Sequence, residues 1–499
     1  MTNAVRGLNI VVVVIILTAF CLQALLALPK LSATTDEPVH LAAGFSYWQT
    51  RDFRMNEEHP PLAKLIAAFP LLFIHPKFDT THDDWKTGAE FQFGFNFLYQ
   101  NDADRLLFWS RVPMVGLAAI GLLITFLWAR DLFGMPAGLF AAGLYAFSPN
   151  LLAHGMLVTT DVPLAVFTVL TLYLFWKGND LYAGLALGAA MASKFSGAFL
   201  PILIIVLCLA RDGRGALKRL LIMGSASLLV IEAAYLFSES PLLYFRNGTW
   251  VNVKVVPNYP FYLFGQLKLG GWWYYFLAAF AFKATIPTLL LIVVTLFDLR
   301  SGLIDRWGEI ILMSGIVFYL IIDSIGASQI GFRYLLPIFP LLFVWTSRIV
   351  RRLAASYVGI GALATLLLWQ AWAATHAFPN YIPYFNELAG GPAGGPALLD
   401  DSNVDWGQGI KLAAEYVRNH GLQNVNLYTF SPLDNPAYYG LPANIPSSQV
   451  IERLVTRYPA QGVYIISAHY VARIKTVSPA WSKYKPVDRI GESLLVYAF

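Results

Sequence analysis

The chain has 499 residues, of which 57% are hydrophobic and only 13% charged, against roughly 45–50% and 25% in a water-soluble domain. With a mean hydropathy of +0.56, that ratio cannot clothe a soluble surface and places the protein in a bilayer. The net charge of +5 is modest and gives no reason to expect a nucleic-acid partner. Cys21 and Cys208, the two cysteines, both lie inside apolar runs, which argues against a disulfide framework or a thiolate metal site.

Eleven apolar runs read as transmembrane spans, near residues 8–28, 106–129, 136–153, 162–176, 181–196, 197–210, 220–237, 272–297, 308–325, 334–347 and 353–375. The first is too long for a signal-peptide core and reads as a retained anchor. With the N-terminus cytoplasmic, the inner loops carry Arg130, Lys177, Arg211, Arg214, Lys218, Arg219, Arg300, Arg306, Arg348, Arg351 and Arg352, as the positive-inside rule requires. Three segments then face outward: 29–105, 238–271 and the tail from 376 to 499. The expected architecture is a mainly α polytopic membrane domain over 1–375 and a small extracytoplasmic α/β domain over 376–499. Strand-like runs at 424–430, 463–467 and 493–499 alternate there with helical patterns at 409–420 and 447–458. The Gly/Pro-rich run 390–396 reads as the linker between the two parts.

The outer segments hold the candidate chemistry. Thr34-Thr35-Asp36-Glu37-Pro38 opens a helix; Thr35 or Asp36 could simply cap it, and acids suit a helix start. Alternatively, two adjacent carboxylates on a rigid helix start could supply a general base. Glu58-His59 precedes Pro60-Pro61 and an apolar helix suited to the interface; such a pair could bind a divalent cation or orient a sugar hydroxyl. Asp161 stands between two apolar stretches, where an ionisable group is a functional candidate or a cap. Lys194 and Arg333 lie near the outer ends of their spans; they could snorkel, pair with an acid, or together neutralise a lipid phosphate. Lys283 and Arg111 are weaker candidates of that kind. Asp401-Ser402-Asn403-Val404-Asp405 copies the start of a calcium loop, but Trp406 and Leu412 stand where Gly and Glu would be needed, so that reading fails. Asn247-Gly248-Thr249 is a bare glycosylation sequon.

These motifs, taken in order, resemble the GT-C integral-membrane glycosyltransferases, above all the protein O-mannosyltransferases (glycosyltransferase family 39) and the related aminoarabinose transferases. The likeness runs through Thr35-Asp36-Glu37, Glu58-His59-Pro60-Pro61-Leu62-Ala63-Lys64, Leu157-Val158-Thr159-Thr160-Asp161-Val162-Pro163, Ser193-Lys194-Phe195-Ser196-Gly197 and Arg333-Tyr334-Leu335-Leu336-Pro337, and through Tyr384-Phe385-Asn386-Glu387-Leu388 and Asp401 to Gln408 in the tail. It implies transfer of a sugar from a polyprenyl monophosphate to a protein, lipid or glycan acceptor outside the membrane, by one inverting displacement. Asp36 would be the base with Glu37 beside it, and Asp161 the second-loop acid that helps hold acceptor or metal. Glu58 and His59 would be substrate or metal candidates, and Lys194 and Arg333 would address the donor phosphate. A transporter or flippase of lipid-linked saccharide needs similar spans and cations, but the chain shows no clear internal repeat. A purely structural assembly protein would leave the acids as caps.

Overall fold

The computed structural model describes residues 3–240, 243–248, 259–326, 328–431, 433–441, 443–444, 459 and 461–499. The tail helix expected at 447–458, and Thr249 of the sequon, lie outside them.

Helical structure occupies each of the eleven apolar runs. Among the described residues, five candidate spans are long and apolar enough to cross a membrane: Gly7–Lys30, Ala103–Phe133, Phe195–Ala234, Arg306–Gly326 and Tyr357–Ala377; the pair Tyr275–Lys283 and Ile286–Asp298, bent by 112°, makes a sixth if it is counted as one span. Shorter apolar helices include Met135–Ala146 and Asp161–Trp176. The chain is thus a multi-pass membrane protein. Small residues set how closely its helices approach. On the helix Asp180–Ser193, a Cβ at Gly184 would lie 2.6 Å from the Met223 carbonyl oxygen, and one at Gly188 2.6 Å from that of Ser227. Ser227 Oγ meanwhile donates to Gly184 O at 2.9 Å. Backbone contact through small residues, with a hydroxyl crossing between helices, is how helices associate where lipid removes the hydrophobic drive.

The tail contains a five-stranded mixed sheet in the order Ala443–Asn444, Val425–Tyr428, Val463–Ser467, Leu494–Ala498, Asp488–Ile490. Val425–Tyr428 is parallel to both its neighbours, with Leu427 opposite Ile465, while Leu494–Ala498 runs antiparallel, with Val496 opposite Ile465. The helix Ile410–Asn419 buries Ala413, Ala414 and Val417 against Leu427, Ile465 and Val496 on one face. Tyr464, Ile466 and Trp481 build a core on the other.

The Gly/Pro run expected as a linker is instead folded. It makes two tight helical turns, Gly391–Gly394 and Gly395–Ala397, and the Phe385 ring lies 2.3 Å from where a Cβ on Gly395 would be. Glycine is required there by contact rather than by flexibility.

Candidate active site

The helix Glu37–Thr50 starts at Asp36 with Pro38 in its first turn, but neither Thr35 nor Asp36 makes a side-chain capping bond. The Asp36 carboxylate turns away and receives Arg333 Nη1 at 3.1 Å. Its side chain keeps 29% of its surface exposed, the most accessible of the four charged groups gathered here. Capping is therefore not what Asp36 does.

Glu37 has the opposite fate and corrects the expectation that it stands beside the base. Successive helical residues point about 100° apart, so when Asp36 faces outward Glu37 faces inward. It is fully buried. Arg111 Nε donates to Oε1 at 2.8 Å and Nη2 to Oε2 at 2.6 Å, Thr34 N donates to Oε2 at 2.8 Å, and Val158 N donates to Oε1 at 3.0 Å. Burial alone would raise its pKa, but the Arg111 charge and these donors outweigh it and hold the carboxyl below its usual value. With both oxygens filled, Glu37 has no lone pair left for a substrate. It ties the loop start, Arg111 and the 158 turn together, which also uses up Arg111.

Asp161 begins the helix Asp161–Trp176, and it too makes no cap; its Oδ1 receives Lys194 Nζ at 2.5 Å. Lys194 reaches it because the chain breaks there from helix into extended backbone, at φ −153°. The two ion pairs are joined by aromatic rings: Lys194 Nζ is 4.2 Å from the centre of the Tyr334 ring, and the Arg333 guanidinium carbon is 5.7 Å from the same ring and 4.0 Å from that of Trp406. Arg333 Nε is buried without an acceptor among the described residues. Four predicted residues, Asp36, Asp161, Lys194 and Arg333, thus converge from distant parts of the chain.

Glu58 and His59 part company. Glu58 is exposed and lines a surface cleft with Arg54, Glu57, Lys86 and Glu90. His59 turns inward, its ring centre 5.4 Å from that of His40. Burial, followed by His40, Lys194, Lys64 and Arg333, holds its imidazole well below the usual pKa and so neutral. The His59 turn is fixed by Lys64, whose buried ammonium donates to Asn56 O at 2.7 Å, His59 O at 2.8 Å and Tyr47 Oη at 2.8 Å. Among the described residues no group of three His, Cys, Asp or Glu side chains is placed to hold a metal ion.

The tail motif is a wall of this site. Trp406, which stacks on Arg333, also accepts Thr35 N at 2.9 Å through its carbonyl, next to Asp36. Ser32 Oγ donates to Gly407 O at 2.9 Å and accepts Ile410 N at 3.0 Å. Asn403 Oδ1 accepts Phe332 N at 2.8 Å, one residue before Arg333. Gly407 is needed here for two reasons: its φ is +97°, and a Cβ would lie 2.8 Å from Asp434 Oδ1. Behind the wall, Asp405 Oδ2 accepts Ser467 Oγ at 2.6 Å; burial, only partly offset by that bond, pushes its carboxyl up to about 6.

The bend at Lys283–Ile286 is filled by the tail as well. Lys283 Nζ donates to Ile382 O at 2.7 Å and Asn403 O at 2.8 Å, and Asn386 Nδ2 donates to Ala281 O and Ala284 O, each at 2.7 Å. Lys283 therefore braces the tail instead of facing a phosphate. Residues the sequence reading passed over are Trp406 as a stacking partner, His40, and Asp323. Asp323 is buried near the end of the helix Arg306–Gly326, with Oδ2 unpartnered among the described residues. The signal for Asp323 was present as an acid inside an apolar run.

Residues 105–237 match the family model described as dolichyl-phosphate-mannose-protein mannosyltransferase. No curated protein matches the chain. Among solved structures, the chain is similar to ArnT from Cupriavidus metallidurans in the apo state, with a TM-score of 0.52 and 14% identity over 99% of this chain and 98% of that one. It is also similar to the same protein bound to undecaprenyl phosphate, with a TM-score of 0.50 and 13% identity over 100% of this chain and 98% of that one. At such identities the likeness is one of fold. Family model and fold point the same way as the motif order: residues 105–237 fit the mannosyltransferase model, and the chain as a whole has the fold of ArnT.

Proposed function

We propose that the protein transfers a sugar from a polyprenyl monophosphate to an acceptor hydroxyl on the extracytoplasmic face, by a single inverting displacement. The observation that carries this reading is the meeting of an accessible acid and two cations: Asp36 with Arg333 at 3.1 Å, and Asp161 with Lys194 at 2.5 Å, around Tyr334. Arg333 and Lys194 would each exchange a carboxylate partner for an oxygen of the donor phosphodiester, whose single negative charge grows toward two as the sugar departs, so the two cations act most strongly in the transition state. That exchange frees Asp36 to accept the proton of the acceptor hydroxyl. As the acceptor oxygen bonds to the anomeric carbon, the carbon–oxygen bond to phosphate breaks and its electron pair leaves with the polyprenyl phosphate. The leaving anion is stabilised by the two cations, so no separate acid is needed. Attack opposite the departing phosphate inverts the anomeric centre.

Asp161 then orients Lys194, and His59, kept neutral, is free to hydrogen-bond a sugar hydroxyl; Glu58 faces the surface cleft on the side from which an acceptor would arrive. A broken helix such as that at 284–285 is a feature of transport paths, but here the Ala281 and Ala284 carbonyls are bonded by Asn386, which favours an enzyme. With eleven crossings and a cytoplasmic N-terminus, we place the site and the tail domain of residues 376–499 outside the plasma membrane.

The test is to incubate the purified full-length protein with polyprenyl-phosphate sugars and an envelope fraction. The expected result is release of free polyprenyl phosphate together with an acceptor heavier by one sugar. Translocation of the donor between leaflets with no new glycosidic bond would instead establish a transporter.

A further inference from the structure

A second cationic pocket lies in the tail, and it shares no residue with the Asp36 site. It is a cavity of about 270 Å³ lined by Tyr262, Pro396, Val471, Lys475, Arg489 and Leu495, among others. It forms where the hairpin of Phe261–Leu263 and Gln266–Lys268 meets the helix Ala468–Val477 and the strand Asp488–Ile490.

Its charge is only partly balanced. Lys475 is half-buried, and no carboxylate among the described residues pairs with it. Arg489 approaches Glu492 at 3.5 Å, but its Nη1 is buried without a hydrogen-bond acceptor among the described residues. Burial, followed by the charges of Lys485 and Arg489, lowers the Lys475 pKa, so cations repel one another here. An anion seated between Lys475 and Arg489 would supply the acceptor that this buried N–H lacks and offset the repulsion at the same time. The remaining walls are mostly apolar, with Thr476 and Tyr262 among them, which suits a phosphate carried on a small organic group.

The pocket also lies close to the membrane along the chain. Four residues after the hairpin come Trp272, Trp273 and Tyr274, with Trp273 73% exposed; such a run marks the membrane–water interface.

We propose that this pocket binds a phosphate monoester or diester, from a free sugar- or glycerol-phosphate or from the headgroup of an anionic lipid. The proposal does not depend on the glycosyltransferase reading. The first arm of the test measures the thermal stability of the full-length protein in neutral detergent, titrated with glycerol phosphate and with inorganic phosphate. The second arm repeats it in nanodiscs of phosphatidylglycerol or phosphatidylcholine. Lys475→Glu and Arg489→Gln are compared with wild type and with Lys218→Ala, an exposed lysine outside the pocket. Because the comparison is between variants, phosphate bound at Arg333 contributes equally to all and cancels.

The expected result is saturable stabilisation of wild type and Lys218→Ala that weakens by about tenfold or more in apparent affinity in Lys475→Glu. Stabilisation by soluble phosphate alone assigns a small-molecule ligand, and stabilisation by phosphatidylglycerol assigns a lipid headgroup. Equal responses in wild type and Lys475→Glu, or no response to either source, would overturn the proposal. Lys475 is half-exposed, so its substitution keeps the test valid should Arg489→Gln fail to fold.

Discussion

Charged groups gather at two kinds of place in this molecule, and they are built differently. Along the basic loops, Lys177 meets Asp131 at 2.6 Å, with Tyr173 Oη on the same carboxylate at 2.9 Å, while Arg219 holds Asp180 and Asp212 together at 2.8 and 2.6 Å. Arg348, with no exposed side-chain surface, spans Glu309 at 2.5 Å and Asp298 at 3.1 Å. Each of these charges is shared: Arg219 and Arg348 each bridge two carboxylates, and Asp131 gathers Arg130, Lys177 and Tyr173. Around Tyr334, by contrast, Asp36–Arg333 and Asp161–Lys194 are single contacts, each cation flanked by an aromatic ring. A charge shared among several partners fixes the fold; one held by a single partner can exchange it. The Glu37–Arg111 pair belongs to the first kind although it lies one residue from Asp36.

That contrast can be broken by substitution. The largest effect on stability is expected for Glu37→Gln, which leaves Arg111 buried with a neutral partner; removing one member of a buried ion pair costs about 3–5 kcal/mol. Thermal unfolding in detergent should fall steeply, with lost activity following lost protein. A variant of normal stability that is inactive would place Glu37 in the chemistry after all. Arg333→Ala comes next. It should leave stability nearly intact and weaken donor binding by about 10–100-fold, or about 1.4–2.8 kcal/mol, measured by titration with a polyprenyl-phosphate sugar. Unchanged donor affinity would remove Arg333 from the phosphate site.

The smallest effect concerns pH. Asp405 is pushed up to about 6, above the unfolded value near 3.9, so the folded tail binds its proton more tightly than the unfolded chain does. The stability this contributes is fully present below about pH 4 and is lost as pH rises through about 6. Asp405→Asn should remove that component, flattening the dependence of thermal stability over this window. An unaltered slope would show that Asp405 does not titrate there.

Much of this arrangement is legible in the sequence because apolar runs and the charges of short loops have strong local signals. The runs coincide with helices, and the strands at 425–428, 463–467 and 494–498 fall inside the runs expected for them. Asp36, Asp161, Lys194 and Arg333 were found as ionisable residues at the ends of apolar stretches, but their meeting was not: Asp36 and Arg333 are 297 residues apart. Nor could the sequence separate Asp36 from Glu37, since the choice depends on which direction the helix start faces and on the position of Arg111. Gly395 read as a flexible linker because composition does not distinguish a glycine that bends freely from one pressed against Phe385. Trp406 was visible within a polar motif, yet its role depends on the docking of the tail against Ser32–Thr35, a contact no local pattern encodes.

The central claim is that Asp36 takes the acceptor's proton once the donor phosphate has drawn Arg333 away. Its most direct test is single-turnover transfer by purified Asp36→Asn protein under saturating donor, with donor affinity measured in parallel. The account predicts transfer slower by about 10²–10⁴-fold, with donor affinity equal to or tighter than wild type because the competing carboxylate is gone. Near-normal turnover, or a loss explained entirely by weaker donor binding, would contradict it.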